Sequence, residues 1–140
     1  MILRRIDDVQ PIDVGKPFGM PDGTMVIQWI ISNQVGDERY RHRFAVRKYT
    51  IKPVDPRAIP FHNHNYIQSL TVLKGRVRAE SPEGVVEAGQ GDTVYFYENE
   101  PHKALPIGDD TVEVLCVIDC PDSGDNCFPE IPKKIETEKA

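Results

Sequence analysis

The stretch Pro60-Phe61-His62-Asn63-His64-Asn65-Tyr66-Ile67-Gln68, which runs on to Gly75, decides how the rest of this chain is interpreted. Its pattern predicts a β-strand, in which successive side chains alternate faces, so that His62, His64 and Gln68 share one face. Imidazole is the commonest metal ligand in proteins, and two histidines at i, i+2 can bind one ion. The stretch therefore predicts a metal site that needs a third histidine from elsewhere in the chain.

Turn-forming residues divide the remainder of the chain into segments of strand length. The 140 residues include 12 prolines and 10 glycines, and long helical patterns are missing. Such spacing is typical of an all-β sandwich or barrel. We expect a single domain over 1–140, with a barrel core at about 40–120, an N-terminal strand region at 1–39 and a polar C-terminal tail at 121–140.

Three strand assignments are specific enough to test. A short strand is expected at Ile2–Ile6, and a strongly apolar one at Met25–Ile31. The segments 102–107 and 111–119 are expected to pair as a hairpin around Gly108-Asp109-Asp110. In the second of these, Glu113 is expected to face water, so the alternate positions should face the barrel: Val112, Val114, Cys116 and Ile118.

Charge and composition exclude several classes of partner. The net charge of -5 disfavours nucleic-acid binding, which requires a basic face. A local cluster, Arg39, Arg41, Arg43 and Arg47, is interpreted as a solvated strand face or a subunit contact, and His42 within it as a surface residue. No signal peptide or membrane-length apolar run is found. We therefore expect a cytoplasmic protein without nucleic-acid or membrane partners, in which Cys120 and Cys127 are ordinary thiols.

Two motifs make the sequence similar to the cupin family. His62-x-His64, three residues, Gln68, six residues and Gly75 match the spacing of the family's first motif. Gly91-Asp92 and then Asn99-Glu100-Pro101-His102 match the start and close of the second, and the similarity covers about residues 40–120. The departures fall where the motifs shape loops, at Asp55 or Pro56, Tyr97, Asn99 and Pro106, with one exception. The exception is Gln68, where the family usually has glutamate.

This resemblance implies a small antiparallel β-barrel of jelly-roll (cupin) type with a metal inside. One divalent ion per chain would be held by His62, His64 and His102. Gln68 would be either the fourth ligand or a hydrogen-bond partner of a metal-bound water. Fe or Mn is favoured, and Ni or Zn also suits imidazole. The resemblance further implies a homodimer that often exchanges an N-terminal strand, and the Met25–Ile31 strand, apolar on both faces, fits this.

The amide of Gln68 narrows the chemistry that the resemblance implies. Neutral ligands leave the charge of a divalent ion uncompensated, so an anionic substrate is favoured, and an amide cannot act as a general base. Cupins with neutral three-histidine sites include iron enzymes that activate dioxygen on thiols or diketones, so the resemblance favours a dioxygenase acting on a small organic substrate over a lyase or isomerase. The alternative is a non-catalytic cupin that binds or senses a small molecule or metal. A barrel whose metal is purely structural is a third reading.

Four further residues are candidates for binding that small molecule: Arg47, Tyr49, Tyr97 and Cys116. Arg47 is the candidate for holding a substrate carboxylate, because a guanidinium matches carboxylate geometry. Arginine ordinarily faces solvent, however, and we expect an outward side chain at this position. Cys116 is interpreted as a buried structural thiol, with an approach to the metal cavity as the alternative.

Overall fold

The structure is a computed structural model that describes residues 1–32, 35–37, 39 and 44–119. These residues form nine strands joined by turns and three short 3-10 segments. The strands are β1 (Ile12–Asp13), β2 (Met25–Ile31), β3 (Phe44–Ile51), β4 (Gln68–Lys74), β5 (Val77–Ser81), β6 (Gly84–Ala88), β7 (Thr93–Phe96), β8 (Lys103–Pro106) and β9 (Val112–Asp119). No helix in the described part of the chain is long and apolar enough to span a membrane.

Two antiparallel sheets make up the barrel. The larger has six strands in the order β1-β2-β3-β9-β4-β7, and the smaller has three in the order β6-β5-β8. Strands that are distant in sequence therefore lie side by side, with β9 between β3 and β4. This arrangement confirms the all-β, antiparallel jelly-roll barrel that the sequence predicts.

Strand β9 lies within the larger sheet, between β3 and β4, and alternates buried with partly exposed residues. Val112, Val114, Cys116 and Ile118 are each at most 1% exposed, and the residues between them are partly exposed. The predicted inward face of this strand is thus confirmed. Its buried side chains pack against both sheets and join the two largest apolar clusters of the core, which stabilises the barrel through burial of apolar surface.

Gly75, the glycine that closes the first motif, is required for two reasons. Its φ of +83° lies in the left-handed region, and a Cβ atom there would lie 2.7 Å from Cγ1 of Val112. Any larger residue would be strained by the backbone conformation and would also clash with the core. The turn between β4 and β5 therefore needs glycine.

The predicted hairpin of 102–107 with 111–119 is wrong. Strand β8 pairs with β5 in the smaller sheet, whereas β9 pairs with β3 and β4 in the larger sheet. The Gly108-containing turn carries the chain from one sheet to the other. Turn residues between two apolar segments predict a reversal of the chain, but they do not predict which neighbour each segment will pair with.

Two other local expectations fail. Ile2–Ile6 is not a strand, and a 3-10 segment at Ile6–Asp8 is found instead. The stretch from His62 to Gln68 is not a regular strand either, because only His62 forms a bridge before β4 begins at Gln68. Several expectations fall outside the described residues: those for Arg41, His42, Arg43, Cys120, Cys127 and the tail 121–140.

Candidate metal centre

A single backbone bridge aligns the first and last histidines of the two motifs. His62 and His102 form an isolated antiparallel pair, in which the amide of His62 donates to the carbonyl of His102 at 3.1 Å and the reverse bond measures 2.9 Å. Residues directly opposite in an antiparallel pair project their side chains to the same face. The two imidazole centroids accordingly lie 4.6 Å apart.

A tight turn before His102 brings in the third histidine. Asn99 has a φ of +59°, and its amide donates to the carbonyl of His64 at 2.7 Å. The same turn is closed by the Tyr97 amide, which donates to the Glu100 carboxylate at 3.0 Å. One ring nitrogen from each of His62, His64 and His102 lies within 4.8 Å of the others. The three imidazoles thus come together although the backbone of the first motif is irregular.

Backbone carbonyls contact the same nitrogen in all three rings. Nδ1 of His102 lies 2.7 Å from the carbonyl oxygen of Glu100, Nδ1 of His64 lies 2.9 Å from that of Tyr66, and Nδ1 of His62 lies 3.4 Å from that of Pro60. A carbonyl only accepts, so each Nδ1 carries the proton when its ring is neutral. Each Nε2 then presents a lone pair, which is the arrangement of metal-binding histidines.

Two of these lone pairs lack a donor, and this provides the test of whether a metal fits. Nε2 of His102 is buried and has no hydrogen-bond partner. Nε2 of His64 lies 3.0 Å from Oε1 of Gln68, so two acceptors face each other. Gln68 is held in this orientation because its Nε2 donates to Sγ of Cys116 at 3.4 Å. A cation beside these atoms would satisfy all of them, so the residues present fit a divalent metal.

Aromatic rings fix the orientation of two of the imidazoles. Phe96 stacks on His102 with centroids 4.1 Å apart, and Tyr66 stacks on His64 at 3.9 Å. Burial lowers the pKa of His102 to about 4, and burial is also the main cause of the lowered pKa of His64. Both rings are therefore neutral at physiological pH, which is the form that binds metal.

The histidines open into a cavity of about 580 Å³ that contains most of the remaining candidates. Arg47, Tyr49 and Cys116 all line it. Arg47 is only 5% exposed, so the expectation of an outward side chain is wrong: its position on β3 has inward parity, directly opposite Cys116 on β9. Burial raises the pKa of the Cys116 thiol, which is therefore protonated at neutral pH.

Tyr97 is the exception among the candidates for ligand binding. Its side chain is 55% exposed and it is absent from the cavity lining. It follows β7 and packs edge-on against Tyr95 on the outer surface, with ring centroids 5.2 Å apart. The structure does not bring it to the site, because Phe96 between them takes the inward position and stacks on His102.

Sequence reasoning missed several aromatic residues of the site, Trp29 and Tyr66 among them. Trp29 and Tyr66 both line the cavity, and Trp29 lies under the guanidinium of Arg47 at 5.2 Å. The signal for Trp29 was its place in the apolar strand β2, which was interpreted only as a packing or subunit surface. The signal for Tyr66 was its position two residues after His64, where its carbonyl and its ring both contact that histidine.

Comparison with known proteins agrees with the fold. The family model described as "Cupin domain" matches residues 49–118. The solved structure of KdgF from Halomonas sp. has a TM-score of 0.63 at 12% identity, covering 84% of this chain and 94% of that one. An RmlC-like cupin from Shewanella frigidimarina has a TM-score of 0.61 at 13% identity, covering 83% and 87%. A search of curated proteins found no match.

A third solved structure resembles the chain at a similar level. The cupin 2 domain-containing protein from Halorhodospira halophila has a TM-score of 0.61 at 18% identity, covering 84% of this chain and 76% of that one. At such low identities these structures show a common fold and carry no information on substrate. The family is established by the family model, whose match to residues 49–118 spans half of the 140-residue chain.

Proposed function

The chain belongs to the cupin family, and we propose that it binds one divalent metal ion and acts with it on a small organic molecule. His62, His64 and His102 are the protein ligands, and Gln68 is the fourth. The favoured reaction is a dioxygenase-type oxidation. The observation that carries the proposal is the buried Nε2 of His102, which has no hydrogen-bond partner while Nδ1 of the same ring lies at a carbonyl.

The donor set supports a borderline or moderately hard ion. Three imidazole nitrogens and one amide oxygen suit Fe or Mn, and Ni or Zn is compatible with the same ligands. When bound, the ion would supply Lewis-acid and redox chemistry to the cavity. The chain's own residues orient the ligands through the Nδ1 contacts, and the rings of Phe96 and Tyr66 stack on His102 and His64.

Among the described residues, the cavity lining contains no carboxylate that could act as a general base, because it includes no aspartate or glutamate. Gln68 cannot accept a proton at neutral pH, and Cys116 is a protonated thiol. A substrate that reacts here must therefore bring its own negative charge or lose its proton on binding, as acidic thiols, diketones and phenols do.

Oxygen consumption by the iron-loaded protein tests the favoured reaction. Protein loaded anaerobically with Fe(II) is exposed to oxygen with a panel of diketones, thiols and phenols. We expect uptake with at least one class, loss of that uptake in His64→Ala, and retention in Thr71→Ala, whose side chain pairs with Thr93 on the exposed surface. No uptake above that of His64→Ala with any compound would contradict the oxidation.

The same lack of a carboxylate favours a second candidate, a metal-dependent binding or sensor protein. Such a protein would bind its ligand through the metal without converting it. A compound that raises the melting temperature and is recovered unchanged after prolonged incubation would support this function, because binding to the native state alone stabilises it. Conversion of the same compound under air would exclude it.

We also propose a homodimer, as the family resemblance implies. Support comes from apolar side chains at the N-terminal end that the single chain leaves exposed, namely Ile2, Leu3 and Phe18 at 37%, 71% and 50%. Burying them against a second copy would be favourable. Light scattering should give twice the chain mass, and a monomer at micromolar concentration would contradict this proposal. The cytoplasmic location stays a prediction.

A further inference from the structure

A buried arginine lies in the same cavity as the histidines. Arg47 projects inward from β3 and is 5% exposed. Its guanidinium carbon lies 5.2 Å from the centroid of Trp29 and 5.5 Å from that of Tyr49. One terminal nitrogen donates to the hydroxyl of Tyr49 at 3.3 Å. These contacts hold the guanidinium in place, but they do not neutralise its charge.

No counterion for this guanidinium is found among the described residues. Nε of Arg47 is buried without an acceptor, and the ion pairs of the described chain involve other residues. The cavity lining contributes no aspartate or glutamate within the described ranges. Burying an unpaired cation costs free energy. An anion that enters the cavity would pair with the guanidinium of Arg47, and this pairing would favour its binding.

The rest of the lining indicates which anion this is. Within the described residues the cavity offers one arginine and no lysine, serine or threonine. A phosphate group carries more charge and more oxygens than this single guanidinium can match, whereas a carboxylate needs only one guanidinium. Much of the remaining wall is apolar, with Ile27, Ile51, Leu70 and Val114 among its members. An apolar body attached to the anion would therefore be buried favourably.

We infer that the cavity selects small carboxylic acids with an apolar body, and that Arg47 binds the carboxylate. This inference rests on the proposed function in one respect, namely that the acid is the small molecule which the metal acts on. Cys116 connects Arg47 to the proposed metal ligands. It lies opposite Arg47 in the pairing of β3 with β9, and it accepts a hydrogen bond from Gln68. Arg47 is thus assigned as a specificity-determining residue.

Calorimetric titration with three matched six-carbon compounds and with inorganic phosphate tests the inference. Hexanoate, hexanamide, hexylamine and inorganic phosphate are titrated into the 140-residue chain, both Zn-loaded and metal-free. We expect hexanoate to bind and to be preferred over the other three. Arg47→Met should weaken hexanoate about ten- to a hundredfold, the range for losing a charge-assisted hydrogen bond, and should leave hexanamide unchanged. Lys48→Met is the control, since Lys48 pairs with Glu113 at 2.9 Å.

The metal-free arm separates this inference from the proposed function. Hexanoate binding by metal-free wild type and by His64→Ala, lost in Arg47→Met, would support the role of Arg47 even if oxygen uptake fails. The ligand-free Arg47→Met protein should also melt at a higher temperature than wild type, because the unpaired charge is gone. Where Arg47→Met does not fold, Arg47→Gln replaces it. Equal hexanoate affinity in wild type and the folded variant, no hexanoate binding to wild type, or tighter binding of phosphate would overturn the inference.

Discussion

The cavity has two regions with opposite electrostatic requirements. At one end, His64 and His102 present neutral rings, and the buried Nε2 of His102 has no hydrogen-bond partner. Along the wall formed by β3 and β9, Arg47 presents a positive charge for which the described residues hold no counterion. The first region requires a cation and the second requires an anion. Arg47 and His102 are both buried, so neither side chain meets its requirement through contact with solvent.

The charges of the two regions together indicate which kind of ligand the cavity favours. A metal at the histidines adds positive charge to a cavity that already contains Arg47 and whose described lining has no carboxylate. Only a negatively charged ligand can balance both regions together. The cavity is therefore built for a ligand that arrives as an anion, and the replacement of glutamate by Gln68 in the motif strengthens that requirement.

Removing one ring of the histidine cluster should have the largest effect. His64→Ala takes away the imidazole that contacts both Gln68 and Tyr66. We expect metal affinity to fall by more than about a hundredfold. Mutating a residue that only hydrogen-bonds to a metal ligand already lowers the affinity by about ten- to a hundredfold. Chelator competition with elemental analysis measures the loss. Retention of one ion per chain in this variant would remove His64 from the site.

Adding a carboxylate between the two regions should be the next largest change. Gln68→Glu places a negative charge beside His64, and we expect about tenfold tighter metal binding with weaker hexanoate binding, because the new charge substitutes for the ligand's. Ser69→Ala, a change to the adjacent residue of β4 outside the cavity lining, is the control. If Gln68→Glu leaves metal affinity, metal preference and hexanoate binding unchanged, Gln68 is not a ligand. The proposal that uncharged ligands make the site select an anion would then lose its basis.

The two regions differ also in how well the sequence predicted them. The barrel and the grouping of the three histidines were predicted from the resemblance of the two motifs to the cupin family, although the strand expected from His62 to Gln68 is not found. The inward position of Arg47 does not follow, since an arginine in a strand usually faces solvent, and only the registration of β3 against β9 reveals it. The pairing of β8 with β5 was missed for the same reason: partners are set by long-range packing.

Loosening the orientation of one imidazole should have a moderate effect. Tyr66→Leu removes the ring stacked on His64 at 3.9 Å but keeps the carbonyl that contacts Nδ1. We expect metal affinity to fall severalfold, up to about tenfold, because the ring gains freedom while its ligand atom remains. Tyr95→Leu, an exposed tyrosine outside the cavity, is the matched control. Equal losses in the two variants would mean that stacking does not orient His64.

Acid should produce the smallest effect, on the stability of the metal-free fold. Burial lowers the pKa of His102 from 6.5 to about 4, so between these values the unfolded chain binds more protons than the folded one. Stability should therefore decrease as the pH falls from 6.5 towards 4. Urea unfolding at several pH values measures the slope, and it should be shallower in His102→Gln. Identical slopes would show that His102 is not held neutral by its surroundings.

The most direct test of the metal site is an X-ray absorption spectrum of the Zn-loaded protein. Three histidine ligands predict a first shell dominated by nitrogen at about 2.0–2.1 Å, with the outer-shell scattering of three imidazole rings. In His102→Gln the imidazole count should fall by one. A wild-type spectrum with one imidazole or none would contradict the proposal that His62, His64 and His102 bind the ion together.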